Sequence, residues 1–213
     1  MSDFDALIVG AGPSGLAAAI AIRKRLEANV VLIEREREAG GIARHTNHSG
    51  YGWRDFHRVM RGPAYVQRYQ TLADKAGVEL RLSTSAVEWT GDRSLKLVSA
   101  GGVEDVTARS IVLATGCRER SRPARLIAGD RPDGVLTTGM LQQLVELYGA
   151  RAGAPGSPIG HRAVVIGAEH VSFSAVMTLR HAGCTTAAMV TDLGRHQSAA
   201  ALRWSAAPRV RIH

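Results

Sequence analysis

Short apolar runs that end at glycine recur along the chain, and they predict the buried strands of a parallel sheet. Residues 5–9 form one such run, and residues 30–34 form another. The segment between them, 14–26, is rich in helix formers and has no proline and, after Gly15, no glycine, which predicts a helix. The two strands of such a strand-helix-strand unit run parallel.

The middle of the chain changes pattern twice. Residues 35–63 are polar and rich in Gly and His, so we predict a long irregular connection of the kind that often carries function. A helix is predicted over 64–76, where Gly77 ends it. Strand-like runs separated by glycine turns then predict an antiparallel β-meander inserted in the sheet, followed by one more parallel strand: 78–82, 86–89, 95–98, 103–107 and finally 110–115.

A basic, proline-containing stretch at 117–132 is typical of a crossing between domains. It divides the chain into two predicted domains, 1–123 and 124–213. After it we predict a helix at 138–148 and a Gly/Pro/Ser-rich linker at 150–160.

The pattern at the start of the chain returns near its end. Residues 163–190 again show a strand, a glycine, a helix and a strand. The spacing is also similar, because 24 positions separate Gly10 from Glu34 and 25 separate Gly167 from Asp192. The sequence therefore predicts an α/β protein with an internal repeat of one supersecondary unit.

Gly10, Gly12 and Gly15 have the G-x-G-x-x-G spacing at the turn from the first strand into the first helix. The first glycine permits the turn, the second lets a pyrophosphate approach the backbone, and the third lets the helix pack closely on the strand. The helix N-terminus offers N–H groups and partial positive charge to phosphates. Glu34 follows 19 residues after Gly15, where a carboxylate can bind the adenosine ribose. A plain glycine turn is the alternative, but this context favours a Rossmann-like dinucleotide site.

Charge and cysteine content narrow the class of protein without naming a ligand. The net charge of +8 suggests nucleic acid, but 24 of the 27 basic residues are arginines spread along the chain, so we expect no nucleic-acid partner. The longest apolar stretch, 16–22, is far shorter than a membrane span, and no signal peptide is legible, so a cytoplasmic location is expected. Cys117 and Cys184 are too few for a disulfide framework or a four-thiolate metal site.

The first strand-turn-helix unit, followed by Glu34 and the Gly40-Gly41 doublet, resembles the N-terminus of the two-dinucleotide-binding-domain flavoproteins, the glutathione-reductase-like superfamily. The resemblance implies that this unit binds FAD, with the doublet near the FAD phosphates. Residues 114–116 are similar to the superfamily's second FAD-contacting motif, and residues 85–87 fall where such proteins contact adenine. The implied FAD-binding residues are Gly10, Gly12, Pro13, Ser14, Gly15, Glu34, Arg35, Gly41, Arg44, Val87, Ala114, Thr115 and Gly116.

A narrower resemblance rests on residues 114–120 and 129–139 and on the helix after them. These segments are similar to FAD-dependent oxidoreductases of the hydrogen cyanide synthase, opine oxidase and sarcosine oxidase flavoprotein-subunit type. The resemblance implies that a small amine or amino-acid-like substrate reduces the flavin by hydride transfer. It also implies a partner oxidoreductase subunit or a homo-oligomer. No catalytic residue is legible in the sequence.

Two features near the expected flavin site have more than one interpretation. Cys117 is either a reactive thiol or, as we favour, a small buried residue at the end of a strand. Three histidines lie in the 35–63 connection, namely His45, His48 and His57. They are interpreted either as proton-transfer groups or as solvated side chains, and we expect no metal site. The C-x4-C and C-x-x-C pairs of the superfamily's disulfide reductases are absent from this sequence, which excludes disulfide reduction through such an internal dithiol.

The second glycine turn, 167–172, departs from the superfamily pattern. Gly167 keeps the first glycine, whereas Glu169 and Ser172 replace the second and third. A carboxylate at the second position faces the pyrophosphate of NAD(P)H, and two unit charges about 4 Å apart repel by roughly 4 kcal/mol at an effective dielectric near 20. Ser172 is expected to loosen the packing of helix on strand. We therefore expect poor NAD(P)H binding, with electrons leaving for oxygen or a partner subunit.

Two other functions compete with amine oxidation. An NAD(P)H-linked FAD-dependent reductase or monooxygenase-like enzyme would need a working second site. The other competing function is that of a truncated, non-catalytic FAD-binding module. In the superfamily a late strand ending in Gly-Asp holds the flavin, and residues 193–213, which follow Asp192, contain no such strand. On that pattern we expect a partial flavoprotein that stops inside its second dinucleotide domain.

Overall fold

The computed structural model describes residues 3–130, 132–192 and 211–212. Arg131, within the 129–139 segment, and most of the 193–213 segment lie outside the described residues. Two compact units divide the chain: the first contains Met1–Arg44 and Ser49–Cys117, and the second contains His45–His48 and Arg118–His213.

In its described residues, 3–44 and 49–117, the first unit contains a six-stranded sheet, a two-stranded sheet and three α-helices. Its strands are β1 (Phe4–Val9), β2 (Val30–Ile33), β3 (Ser49–Tyr51), β4 (Met60–Arg61), β5 (Glu79–Arg81), β6 (Ser85–Gly91), β7 (Ser94–Ser99) and β8 (Gly102–Leu113). Its helices are α1 (Pro13–Leu26), α2 (Trp53–Phe56) and α3 (Gly62–Lys75). The large sheet has the order β5-β2-β1-β8-β7-β6, in which β5, β2, β1 and the end of β8 run parallel.

The central strands are buried on both faces, which explains why they read as continuous apolar runs. In β1, Ile8 packs towards α1 and α3, whereas Leu7 packs against the meander strands β7 and β8. In β2, Leu32 and Val31 alternate between the same two cores. The parallel strand-helix-strand unit predicted from the sequence is thereby confirmed.

The predicted break between residues 103–107 and 110–115 is wrong, because β8 is one strand of 12 residues. Its first half pairs antiparallel with β7, and its second half pairs parallel with β1. Arg109, between the two predicted runs, forms an ion pair of 3.2 Å with Asp5 on the neighbouring strand. The meander therefore extends the sheet from its edge through a single continuous strand.

The 35–63 connection is more ordered than an irregular loop. It contains a 3-10 turn (Gly41–His45), the antiparallel pair of β3 and β4, and α2. Phe56 of α2 stacks edge-on against Tyr65 of α3 with ring centroids 5.7 Å apart, and the Tyr65 hydroxyl donates a hydrogen bond to Asp55. Burial, followed by this hydrogen bond, raises the pKa of Tyr65 well above its usual value. These contacts fix the connection against α3.

The second unit contains α4 (Thr138–Glu146), β9 (Arg162–Ile166), α5 (His170–His181), β10 (Thr185–Val190) and β11 (Arg211–Ile212). The three strands form a parallel sheet in the order β11-β10-β9. Residues 150–160 are packed rather than an open linker, since Ile159 is buried and the Ala152 N–H donates to the Ala182 carbonyl over 2.8 Å. Among the described residues, no helix is long and apolar enough to cross a membrane.

Candidate nucleotide-binding site

The turn between β1 and α1 accepts only glycine at two positions. Gly10 has φ of +101°, and a Cβ there would lie 2.5 Å from the carbonyl oxygen of Ala114. A Cβ on Gly15 would overlap the carbonyl oxygen of Gly10. The backbones of β1, α1 and the segment after β8 therefore approach one another more closely than any side chain would allow.

Gly12 has a different environment. It is the N-cap residue of α1, with φ of −71° and ψ of 178°, which any residue can adopt. The nearest atom to a Cβ placed there is the Cα of Gly41, 4.0 Å away. Gly40 donates its N–H to the carbonyl of Ala11 over 2.8 Å, so the glycine doublet lies directly against the glycine turn. Neither the backbone conformation nor crowding within the fold therefore requires glycine at position 12.

The N-terminus of α1 favours an anion. Pro13 is its first residue, no side chain caps it, and its first turn contains no acidic residue. Helix geometry leaves the N–H groups of Ser14 and Gly15 without carbonyl partners inside the helix. The helix dipole adds partial positive charge at the same place, as phosphate sites require.

Glu34 is held beside this turn at the end of β2. It is buried, one carboxylate oxygen accepts the N–H of Ala11 over 2.9 Å, and the other accepts the N–H of Glu36 over 3.1 Å. Thr84 donates its N–H to the Glu34 carbonyl over 2.8 Å, which fixes the backbone as well. Because two N–H groups anchor the carboxylate, its remaining lone pairs have a defined direction for a ribose hydroxyl.

Arg44 follows the doublet on the 3-10 turn. One of its guanidinium nitrogens donates to the carbonyl of Glu38 over 3.1 Å and lies 3.5 Å from the Glu38 carboxylate. Its Nε is buried and has no hydrogen-bond partner among the residues that the structure describes. A buried donor without a partner costs free energy, so this side chain is suited to an anionic ligand.

The other predicted site residues are more dispersed. Ala114 donates its N–H to Val9 over 2.8 Å and lines the glycine turn, whereas Thr115 and Gly116 are exposed just beyond it. Arg35 is exposed and pairs with Glu36 at 3.5 Å. Val87 is 57% exposed on β6, at a shift in strand register. The structure thus brings the glycines, Glu34 and Ala114 together, and it does not show Val87 in contact with them.

Two interpretations of cysteine and histidine change. Cys117 is exposed, so its interpretation as a small buried residue is wrong, while burial raises the pKa of the Cys184 thiol. His45 is buried and His48 lies 2.8 Å from the Ser174 hydroxyl within the second unit, so these two are not solvated loop histidines. His57 is exposed. The described part of the chain contains no cluster of three or more His, Cys, Asp or Glu side chains able to hold a metal.

The second glycine turn repeats the backbone of the first. Gly10 donates its N–H to the last residue of β2 over 2.8 Å, and Gly167 donates to the last residue of β10 over 2.7 Å. The next residue, Ala11 or Ala168, is fully buried in each unit. The internal repeat predicted from the sequence is therefore confirmed at the level of hydrogen bonding.

Comparison with known proteins gives the family. The sequence profile described as "Pyridine nucleotide-disulphide oxidoreductase" matches residues 4–186, which is well over half of the chain. The chain belongs to that family. The match extends through both glycine turns, so the pyridine nucleotide-disulphide oxidoreductase pattern includes the position of Glu169 as well as that of Gly12.

The chain is similar in sequence to subunits of three enzymes. An opine oxidase subunit of Agrobacterium tumefaciens is 31% identical over 172 residues (75% of this chain, 33% of that one). The HcnB subunit of hydrogen cyanide synthase from Pseudomonas aeruginosa is 33% identical over 146 residues (64% and 29%). The alpha subunit of sarcosine oxidase from a Corynebacterium species is 32% identical over 161 residues (70% and 16%). The narrower resemblance found in the sequence is confirmed, and the matches cover about a third or less of each relative's length.

The fold is also similar to a solved structure. The T. acidophilum thioredoxin reductase superposes with a TM-score of 0.71 over 100% of this chain and 64% of that one, at 15% identity. At this identity the likeness concerns the fold alone. The predicted α/β class, with Rossmann-like units and an antiparallel meander, is confirmed. The 78–82 run is not part of that meander, because β5 pairs parallel with β2.

Three contacts were not foreseen from the sequence, two at the glycine turns and one at the start of α4. The Ala11 N–H anchors Glu34, and Arg125 pairs with Glu169 at 3.2 Å. Glu119 accepts the N–H of Thr138 over 3.0 Å and so caps α4. Their sequence signal is weak, because the partners of Arg125 and Glu119 lie far along the chain.

Replacing Glu34 with glutamine is expected to weaken FAD binding by roughly tenfold, because an amide cannot keep two backbone N–H groups and a ribose hydroxyl all as donors to it. The measurement is an FAD titration, with a thermal melt to report any loss of the turn itself. Glu36→Gln is the matched control, since the Glu36 side chain is exposed and forms an ion pair with Arg35 on the surface. Equal FAD affinity in Glu34→Gln and the unaltered chain would contradict the assigned role.

Proposed function

We propose that the chain is the FAD-binding part of an FAD-dependent oxidoreductase whose flavin is reduced by a small amine or amino-acid-like substrate. One observation carries the FAD site: Gly12 is held open between the N-terminus of α1 and Gly41, with the Glu34 carboxylate anchored beside it. The fold itself gives no packing reason for glycine at that position. A pyrophosphate supplies the reason, since only glycine lets it reach the helix N–H groups.

The residues present fit the parts of FAD in order. The N–H groups of Ser14 and Gly15 would hold the pyrophosphate, Glu34 would accept a hydrogen bond from the ribose, and the buried Nε of Arg44 would donate to a phosphate oxygen. We assign Arg35 and Gly41 to the phosphate side of the site and Val87 to the adenine, while Ala114 lines the glycine turn and Thr115 and Gly116 lie exposed just beyond it. When bound, FAD supplies a hydride acceptor for the substrate.

The choice of reductant follows from the second turn. Glu169 stands where the first unit has Gly12, and its carboxylate is ionised, since its pKa lies below the usual value. Partial burial opposes ionisation there, but backbone and Ser172 hydrogen bonds and the charge of Arg125 outweigh that effect. A fixed negative charge repels a dinucleotide pyrophosphate, so NAD(P)H binds poorly and the electrons come from an organic substrate.

The relatives support the substrate class and the kind of assembly. Two of them are named for the oxidation of opines and of sarcosine, and all three are named as subunits. We therefore propose that electrons pass from the flavin to oxygen or to a partner oxidoreductase subunit. A homo-oligomer is the alternative assembly.

The test is anaerobic reduction of the purified, FAD-loaded protein, followed by the flavin absorbance. We expect the yellow colour to bleach with a panel of secondary amines and amino acids, such as sarcosine and glycine, and to persist with NADH or NADPH. Bleaching by NAD(P)H alone would make the protein a pyridine-nucleotide-linked reductase. A protein that holds FAD but is bleached by neither class would be a non-catalytic FAD-binding module.

A further inference from the structure

The Glu169 side chain is folded back onto its own turn. Its carboxylate accepts a hydrogen bond of 2.9 Å from the Ser172 hydroxyl, and a Cβ on Gly167 would collide with both side chains. Glu169 is the N-cap residue of α5 and has extended backbone angles, φ of −82° and ψ of 171°, close to those of Gly12 at the start of α1. The same position is open in the first unit and filled by a carboxylate in the second.

Arg125 holds that carboxylate from the other side. It ends a short 3-10 turn (Pro123–Arg125), and its guanidinium lies 3.2 Å from the Glu169 carboxylate. A second guanidinium nitrogen donates to the carbonyl of Ile166, the last residue of β9, over 3.4 Å. Both groups are over a third exposed, so the pair adds little to stability. Its effect is to fix the position of the carboxylate.

We infer that Glu169, held by Arg125 and Ser172, is the residue that closes the second unit to pyridine dinucleotides, by occupying the turn with its own carboxylate. The inference rests on the proposed function in one respect, namely that the unaltered protein does not use NAD(P)H. It goes further by assigning the closure to one fixed side chain and its counter-ion. If the Glu169 carboxylate is removed, the guanidinium of Arg125 becomes available to bind a phosphate.

The test is a reciprocal variant, Glu169→Gly, which gives the second turn the same residue as the first turn has at Gly12. We expect NADPH to bind about tenfold or more tightly than to the unaltered protein, because roughly 1.4 kcal/mol of repulsion or more is removed. Glu169→Gly combined with Arg125→Ala is expected to lose most of that gain. Glu169→Ala, which the extended backbone also accepts, provides the same test if the glycine variant folds poorly.

Glu119→Gln is the matched control, because it removes a carboxylate from the other helix N-terminus of the same unit and should leave NADPH affinity unchanged. Titrations with NADPH and NADH are read by calorimetry, with FAD binding and thermal melting measured on every variant. Unchanged NADPH affinity in folded Glu169→Gly and Glu169→Ala would overturn the inference and leave the FAD proposal standing. Low-micromolar NADPH binding to the unaltered protein would instead overturn both the inference and the proposed reductant.

Discussion

Replacing Gly12 with glutamate is expected to weaken FAD binding by roughly a hundredfold or more while the protein stays folded. The substitution copies the residue of the second turn, Glu169, into the first. Space for a side chain exists, since the nearest atom to a Cβ is 4.0 Å away and the backbone angles suit any residue. The new carboxylate would lie at the N-terminus of α1, where the dinucleotide pyrophosphate is proposed to bind, and two negative charges at that range repel strongly.

A calorimetric FAD titration measures this effect, with far-UV circular dichroism to confirm the fold. Gly12→Ala separates bulk from charge: we expect it to weaken FAD binding less than glutamate does, because a methyl group blocks the close approach without repelling the phosphates. If Gly12→Glu bound FAD as well as the unaltered protein, the pyrophosphate could not lie at this turn.

Replacing Gly15 with alanine is expected to destabilise the first unit by about 2–4 kcal/mol, the opposite of the usual effect. Alanine normally stabilises a helix interior by about 1 kcal/mol relative to glycine. At Gly15, however, a Cβ would overlap the carbonyl oxygen of Gly10, and backbone atoms cannot move aside as a flexible side chain can. The overlap forces α1 away from β1, and FAD binding should weaken with it.

Thermal or urea melts of Gly15→Ala and Gly12→Ala measure the contrast directly. Because about 1 kcal/mol corresponds to roughly 3–6 °C for a unit of this size, a fall of roughly 6 °C or more is expected for Gly15→Ala. Gly12→Ala, whose Cβ meets nothing closer than 4.0 Å, should melt within a few degrees of the unaltered protein. A melting temperature for Gly15→Ala equal to or above that of the unaltered chain would show that helix and strand are not in close contact there.

The sequence predicted the features of the fold that depend on local pattern. The apolar runs of β1 and β2 and the glycine turn between β1 and α1 lie where the sequence placed them, because each is determined by residues close together in the chain. The break predicted within β8 was wrong, because the strand is kept continuous by pairing with β1, and the contact of Arg109 with Asp5 on β1 joins residues 104 positions apart.

The site shows the same division between local and distant information. The roles of Gly10, Gly12 and Gly15 follow from spacing alone, and the structure adds the backbone contacts that make two of them obligatory. The pairing of Arg125 with Glu169 joins residues 44 positions apart, and no pattern in the sequence marks it. Glu169 itself was visible as a departure from the family motif, but how its carboxylate is held was not.

The first unit is proposed to bind FAD through the glycine turn and Glu34. The most direct test is a calorimetric titration of the purified, flavin-free protein with FAD, followed by the absorbance spectrum of the complex. We predict one FAD bound per chain at low-micromolar affinity or tighter, with a shifted flavin spectrum and with binding lost in Gly12→Glu. A folded protein that shows no heat of binding with either FAD or ADP would contradict the account.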